Sequence, residues 1–293
     1  MSPTPSRPAL WKLLIDGEIR LASGPPDEGP QQVLATRDLD ALIGAGASAI
    51  TEAISEPAGP VPAGHRVLAP LGSQPVWASG VTYERSRAAR NAESATPDVY
   101  DLVYDAERPE LFCKAMPGTS RGPGETVGIR VDSTWDVPEP ELTLVVDAGG
   151  TIAAFTCGND MSSRTIEGEN PLYLPQAKVY DLSCAVGPCL VPAGDLDIAD
   201  LTISLTIERE GQTAFEESIS GAAIHRDLPD LATWLYRANS FPTGAFLMTG
   251  TGIVPPEDFT LAAGDLVTVA ITGVGSLTNP VVEVGSVVGA GRR

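Results

Sequence analysis

The sequence predicts a mainly β protein with α/β elements, built as a sandwich, roll or barrel. Three observations carry that expectation. Most apolar runs are short, alternate with period two and end in Gly-rich turns, the pattern of antiparallel strands. The few stretches with helical spacing do not alternate with strands as βαβ units would. No G-x-x-x-x-G-K-[ST] loop occurs, and Gly250-Thr251-Gly252 lacks the third glycine of a dinucleotide fingerprint, which excludes a Rossmann sheet.

Taken in order, residues 10–21 read as a β-hairpin, because Asp16-Gly17 is a favoured two-residue turn between apolar runs. Residues 37–53 carry Leu39, Leu42, Ile43 and Ile50 at helical spacing. The run from Pro57 to Gly64 holds three prolines and two glycines, which neither a helix nor a central strand accommodates. It is read as the junction between a small N-terminal α/β domain (residues 1–70) and a catalytic body (residues 71–293). The body opens with a short strand at Val76–Ala78 and a helix over residues 84–94, rich in Arg, Ala and Glu. A strand follows at 111–115. Residues 142–146 form another, which turns at Asp147-Ala148-Gly149-Gly150 and returns over 151–156. Residues 201–207 alternate strictly and turn at Glu210-Gly211, and 267–271 form a further strand. One clear helix interrupts over residues 228–238, carrying Leu231, Trp234 and Leu235. There is no internal repeat.

Charge narrows the partners. The 38 acidic and 19 basic residues leave a formal net charge of −19, which repels phosphate backbones and anionic lipid, so neither nucleic acid nor membrane is expected. An anionic small substrate remains compatible, because a bound cation reverses the local field. Most of the carboxylates are read as a solvating shell. No charged n-region precedes an apolar core at the N-terminus and no uncharged run is long enough to cross a bilayer, so a cytoplasmic protein is expected. Cys113, Cys157, Cys184 and Cys189 are scattered and read as reduced thiols. With only His65 and His225 present, a zinc site of the Cys/His type is not expected. Trp11, Trp77, Trp135 and Trp234 are read as core or interface residues.

The chemistry concentrates at Pro138-Glu139-Pro140-Glu141-Leu142. Residues at i and i+2 of a strand share a face, so Glu139 and Glu141 lie side by side, and two carboxylates that close need a proton or cation between them. The prolines confine this stretch to an edge or to the start of a strand. A hairpin turning at 147–150 returns Asp160, in Gly158-Asn159-Asp160, to the level of the two glutamates. Three hard oxygen donors at one hairpin end suit Mg²⁺, with Mn²⁺ or Ca²⁺ as alternatives. Lys178 follows, available to offset surplus negative charge or to contact substrate oxygen.

These segments, together with Gly80-Val81-Thr82-Tyr83, Met161-Ser162-Ser163-Arg164, Gln176-Ala177-Lys178, Thr249-Gly250-Thr251 and Gly275-Ser276-Leu277-Thr278-Asn279, resemble the fumarylacetoacetate hydrolase superfamily over residues 76–284. The resemblance implies a β-roll catalytic domain with a small N-terminal domain, assembled as a homodimer or homotetramer. It also implies a metal held by Glu139, Glu141 and Asp160, with Lys178 nearby. Members that cleave carbon–carbon bonds carry a water-activating histidine three residues after the motif's tyrosine; here that position is Ser86, which counts against ordinary hydrolysis.

Three runs, Gly80 to Arg87, Tyr104 to Phe112 and Glu167 to Lys178, look like the branch that contains 2-keto-3-deoxy-D-arabinonate dehydratase. That likeness implies conversion of a 2-keto-3-deoxy sugar acid, 2-dehydro-3-deoxy-D-arabinonate, to 2,5-dioxopentanoate in pentose catabolism, with Glu110 as acid/base and Lys178 as its catalytic partner. Tyr83, Arg85, Arg87, Lys114, Ser162 and Thr251 are candidates for substrate binding. Ser163 is read as a turn cap or a substrate contact, and Asn279, like Thr251, as a residue of a Gly-flanked loop. Two alternatives stay open: a hydrolase or decarboxylase of the same superfamily acting on a diketo acid, and a non-catalytic carboxylate-binding protein.

Overall fold

The protein is described by a computed structural model that covers residues 7–85, 98–194 and 196–286. It begins with β1 (Ala9–Ile15), β2 (Glu18–Gly24), β3 (Gln32–Leu34), β4 (Pro57–Pro60) and β5 (Arg66–Val67). Next come β6 (Val76–Ala78), β7 (Phe112–Ala115), β8 (Val127–Arg130) and β9 (Asp136–Val137). The central hairpin is β10 (Pro140–Val146) and β11 (Ile152–Asp160), followed by β12 (Ser162–Ser163) and β13 (Cys184–Pro192). The chain closes with β14 (Thr202–Arg209), β15 (Gln212–Ser220), β16 (Ala245–Met248), β17 (Leu266–Ile271) and β18 (Gly275–Val284). One large sheet runs β4-β3-β2-β1-β13-β11-β10-β16-β6-β7, with β5 beside β1; a five-stranded sheet runs β15-β14-β17-β18-β8. This mixed, strand-dominated architecture is the expected fold class.

The expected hairpins form where turn chemistry demanded them. Ile15 pairs with Glu18 across Asp16 (φ 49°) and Gly17 (φ 81°), and Arg209 pairs with Gln212 across Glu210 (φ 52°) and Gly211 (φ 77°). Both central residues of each turn are left-handed, the geometry that matches strand twist and favours Asp-Gly or Glu-Gly here over bulkier pairs. The helical stretch at 37–53 is two helices, Leu39–Ala45 and Ala47–Ile54. Gly46 divides them at φ 93°, where the chain must leave the right-handed region. The Asp38 carboxylate caps the first helix by accepting from Ala41 N at 2.9 Å. Pro57–Pro60 is an edge strand at the end of the large sheet, the place where prolines are tolerated. The helix expected over 84–94 falls mostly on residues 86–97, outside the described residues, as do Ser86 and Arg87.

The site is positioned by β10. All seven of its residues are buried, and its two faces do different things. Leu142, Leu144 and Val146 enter the core that the two sheets share with Leu205, Val267 and Val269. Burial of each such side chain is worth roughly 1.5–3 kcal/mol, so the hairpin is fixed firmly against the second sheet. The alternate residues face the other way: Val145 packs with Ile43, Ile50 and Phe246, while Glu141 and Thr143 bring polar groups to that face. Trp11 and Trp234 are buried as expected, and Arg237 stacks 3.7 Å from the Trp234 ring centre.

Asn279 departs from expectation. It lies within β18 opposite Val267 rather than on a loop, and its Nδ2 donates to Gly122 O at 2.9 Å and Glu125 O at 2.8 Å, pinning a distant turn. Among the described residues no helix is long and apolar enough to cross a membrane.

Gly158 sits opposite Glu141, where a Cβ would lie 2.3 Å from Thr143 Oγ1 and 2.9 Å from Met248 Cε. Gly158→Val should therefore cost about 1–3 kcal/mol through overpacking. The check is the thermal midpoint by calorimetry; a midpoint unchanged within error would show that the Thr143 and Met248 side chains yield freely.

Candidate metal centre

Glu139 immediately precedes β10, Glu141 is its second residue, and Asp160 is the last residue of β11. Glu139 N donates to Asp160 O at 3.1 Å and Asp160 N donates to Glu139 O at 3.0 Å, a closed pair that sets the two residues side by side. Glu141, two residues further on, falls on the same face. One carboxylate oxygen from each of the three lies within 4.8 Å of the others, and all three side chains are nearly inaccessible to solvent. The hairpin expected from the sequence therefore delivers the expected cluster.

Three buried cations hold it. Lys178 Nζ donates to Glu139 Oε2 at 2.8 Å, to Ser162 Oγ at 2.6 Å and to Asp160 Oδ2 at 3.3 Å. Arg164 Nη2 lies 3.1 Å from Glu139 Oε1. Lys114 Nζ reaches Asp160 Oδ1 at 2.5 Å and donates to the carbonyls of Met161 (2.8 Å) and Lys178. Its two hydrogen bonds go to backbone carbonyls, and its contact with Asp160 is an ion pair. Lys114 therefore links the Asp160 carboxylate by charge to the backbone of Met161 and Lys178. Glu141 accepts from Gly250 N at 2.5 Å. Burial, followed by the charges of Asp160 and Glu139, pushes the Glu141 pKa well up, against the opposing pull of Lys178 and the Gly250 amide. A carboxyl strained in this way is relieved by a cation among its neighbours. The donor set fits Mg²⁺, because all three ligands are hard anionic oxygens and no thiolate or imidazole is among them.

The cavity beside the cluster is built by neighbouring strand ends. The order β11-β10-β16-β6-β7 places Asp160, then Glu139 and Glu141, then Gly250 and Thr251, then Ser79 and Gly80, then Glu110 and Phe112 along one rim, with Glu167 and Leu174 closing it. Glu110 leans over Gly80: a Cβ built on Gly80 would stand 2.1 Å from Glu110 Oε2, so a side chain there would push the carboxylate from this position.

The other expected residues divide. Thr251 lines the cavity, but its hydroxyl accepts from Ile253 N (3.2 Å) and donates to Ile253 O (3.3 Å), shaping its own turn. Ser162 stands behind the cluster, accepting from Lys178 and donating to Asp160 O at 3.1 Å. Ser163 caps the helix Arg164–Glu169 by accepting from Ile166 N at 3.3 Å. Tyr83 is buried behind the cavity wall, packed on Gly252, and burial with the nearby Glu141 charge raises its pKa, so the phenol keeps its proton. Arg85 is not brought to the cavity; it pairs with Glu217 and reaches Val254 O at 3.4 Å on the outer face. Arg87 lies outside the described residues. Sequence reasoning missed Arg164 and Glu167, although their spacing of three on one helix puts both on one face, and it missed Ser79 altogether.

The sequence profile described as fumarylacetoacetate (FAA) hydrolase C-terminal matches residues 86–282. The chain is 48% identical over 216 residues to a protein of Haloferax volcanii named as a probable 2-keto-3-deoxyxylonate dehydratase, covering 73% of this chain and 74% of that one. It is 41% identical over 221 residues to the 2-dehydro-3-deoxy-D-arabinonate dehydratase of Saccharolobus solfataricus, covering 74% of each. A solved structure of 2-keto-3-deoxy-D-arabinonate dehydratase complexed with magnesium and 2,5-dioxopentanoate superimposes with a TM-score of 0.82 at 33% identity, covering 94% of this chain and 99% of that chain. A fumarylacetoacetate hydrolase from Exiguobacterium antarcticum, 22% identical with a TM-score of 0.70 over 95% of this chain and 100% of that one, shares the fold.

Lys114→Met should weaken Mg²⁺ binding by substrate-free protein about 10- to 100-fold, since it frees Asp160 from the group that orients it. Titration calorimetry checks this. Metal affinity equal to that of the unsubstituted protein, with a loss confined to substrate binding, would return Lys114 to the cavity wall.

Proposed function

The chain belongs to the fumarylacetoacetate hydrolase family, and from that premise we propose that it is a metal-dependent hydro-lyase converting 2-dehydro-3-deoxy-D-arabinonate, a 2-keto-3-deoxy sugar acid, to 2,5-dioxopentanoate. The observation that carries this reading is the buried Glu139/Glu141/Asp160 cluster facing Glu110 across one cavity. The names of the two dehydratase relatives, and the magnesium and 2,5-dioxopentanoate in the solved neighbour, support the substrate class and the cofactor.

Glu139, Glu141 and Asp160 hold Mg²⁺, with Mn²⁺ or Ca²⁺ as acceptable substitutes. When bound, the cation acts as a Lewis acid toward the substrate's 2-keto oxygen, which acidifies the protons on C3. Glu110, held above Gly80 on the opposite rim, takes one of those protons. Lys178, among Glu139, Asp160 and Ser162, supplies the fixed positive charge that stabilises negative charge developing on the C2 oxygen. Glu110 returns that proton to the C4 hydroxyl, which departs as water as the C3–C4 double bond forms, and tautomerisation of the unsaturated product gives the dioxo acid. Ser86, at the place of the hydrolases' water-activating histidine, favours dehydration over hydrolysis.

The same reading takes the protein as a cytoplasmic enzyme of pentose catabolism. Exposed apolar side chains at Met116, Leu172, Tyr173 and Val179 support a homodimer or homotetramer. The division into a small domain at residues 1–70 and a catalytic body at 71–293 is part of the same reading.

Incubation with 2-dehydro-3-deoxy-D-arabinonate and Mg²⁺ should yield one five-carbon product lacking one water, and a chelator should abolish it. Two fragments or released carbon dioxide would favour the hydrolase or decarboxylase alternative. Glu110→Gln should leave Mg²⁺ affinity intact and cut turnover by about 10²-fold or more; near-normal turnover removes Glu110 from the chemistry.

A further inference from the structure

A buried hydroxyl that lines a ligand cavity and has no hydrogen-bond partner within the protein points to a partner on the ligand, because buried polar groups are otherwise satisfied. Ser79 is such a group. It directly follows β6, is 1% exposed, lines the cavity, and its Oγ has no partner among the described residues. Its backbone is anchored, with Ser79 N donating to Met248 O at 2.9 Å. The neighbouring wall hydroxyl, on Thr251, already gives its proton to Ile253 O, whereas that of Ser79 is still to be given.

Its place along the rim says which part of the substrate it meets. The cluster that would hold the metal, and through it the substrate's 2-keto oxygen, lies at β10 and β11. Ser79 directly follows β6, two strands away from β10, and strands are spaced about 4.8 Å apart. Glu110, which takes the C3 proton, has its carboxylate over Gly80, the residue next to Ser79. A substrate running from the metal toward Glu110 therefore brings C4, one bond beyond C3, to Ser79. We propose that Ser79 is a specificity-determining residue that hydrogen-bonds the C4 hydroxyl, the group that leaves. The proposal rests on the dehydratase reading and adds to it the residue that recognises a hydroxylated C4 among 2-keto acids.

The test is Ser79→Ala, with Ser79→Gly as a second variant, assayed as Mg²⁺-loaded full-length protein. Expected are a fall of about 10- to 100-fold in kcat/KM with 2-dehydro-3-deoxy-D-arabinonate and a similar weakening of inhibition by 4-hydroxy-2-oxopentanoate. Inhibition by 2-oxopentanoate, which has no hydroxyl, should stay the same, as should Mg²⁺ affinity, while the melting temperature should hold or rise because an unsatisfied group is gone. The assignment is overturned if kcat/KM stays within threefold in both variants, or if 2-oxopentanoate weakens as much as its hydroxylated counterpart. A wild-type protein that releases no water from the sugar acid removes the dehydratase reading and this assignment together; an active wild type with unimpaired variants removes the assignment alone.

Discussion

Everything at the site depends on keeping three carboxylates close together and out of water. Each of Glu139, Glu141 and Asp160 on its own is costly to bury, and together they repel. The fold meets that cost with three cations of its own, Lys114, Lys178 and Arg164, each in contact with the cluster and each as deeply buried as the acids. These pairs do not add much to stability in general, since desolvation offsets attraction. Their effect is on geometry: two ammonium groups and a guanidinium orient Glu139 and Asp160, the Gly250 amide orients Glu141, and one face stays open to the cavity.

That arrangement follows from a β-hairpin used as a ruler. In β10, alternation sends one set of residues into the core between the sheets and the other set toward the site. The apolar set holds the strand in register, and the polar set inherits that precision. The closed backbone pair between Glu139 and Asp160 then carries it across to β11. A functional site built on strand ends in this way is stiffer than one built on loops. The cavity wall is assembled differently, from short segments after β6 and β16 and before β7.

This difference explains what could be read from the sequence. Glu139, Glu141 and Asp160 were legible because spacing along a hairpin is a local property, and the Asp147 to Gly150 turn announced the return strand. Glu110 was found through resemblance alone; nothing local says that a glutamate before a short strand will lean over Gly80. The setting of Lys114 was not legible, because its partners Asp160, Met161 and Lys178 lie at the end of β11 and of a helix ending at residue 178, which no window of sequence brings together. Ser79 was missed for a related reason, since a serine after a strand looks like any turn residue until its surroundings are known to leave its hydroxyl unmatched. Gly46 could have been weighed more heavily, as a lone glycine near the middle of a helical pattern often marks its end.

Gly80 has a consequence beyond the room it leaves for Glu110. A side chain there would press on the Glu110 carboxylate, whereas Glu139, Glu141 and Asp160 stand on the separate β10–β11 hairpin. The head of the site and its distal wall thus stand on separate segments of the chain. Evolution toward other oxo acids has a route through the β6 and β7 segments that leaves the acidic hairpin untouched, and one scaffold can in this way give rise to enzymes that share a cofactor and differ in what they accept.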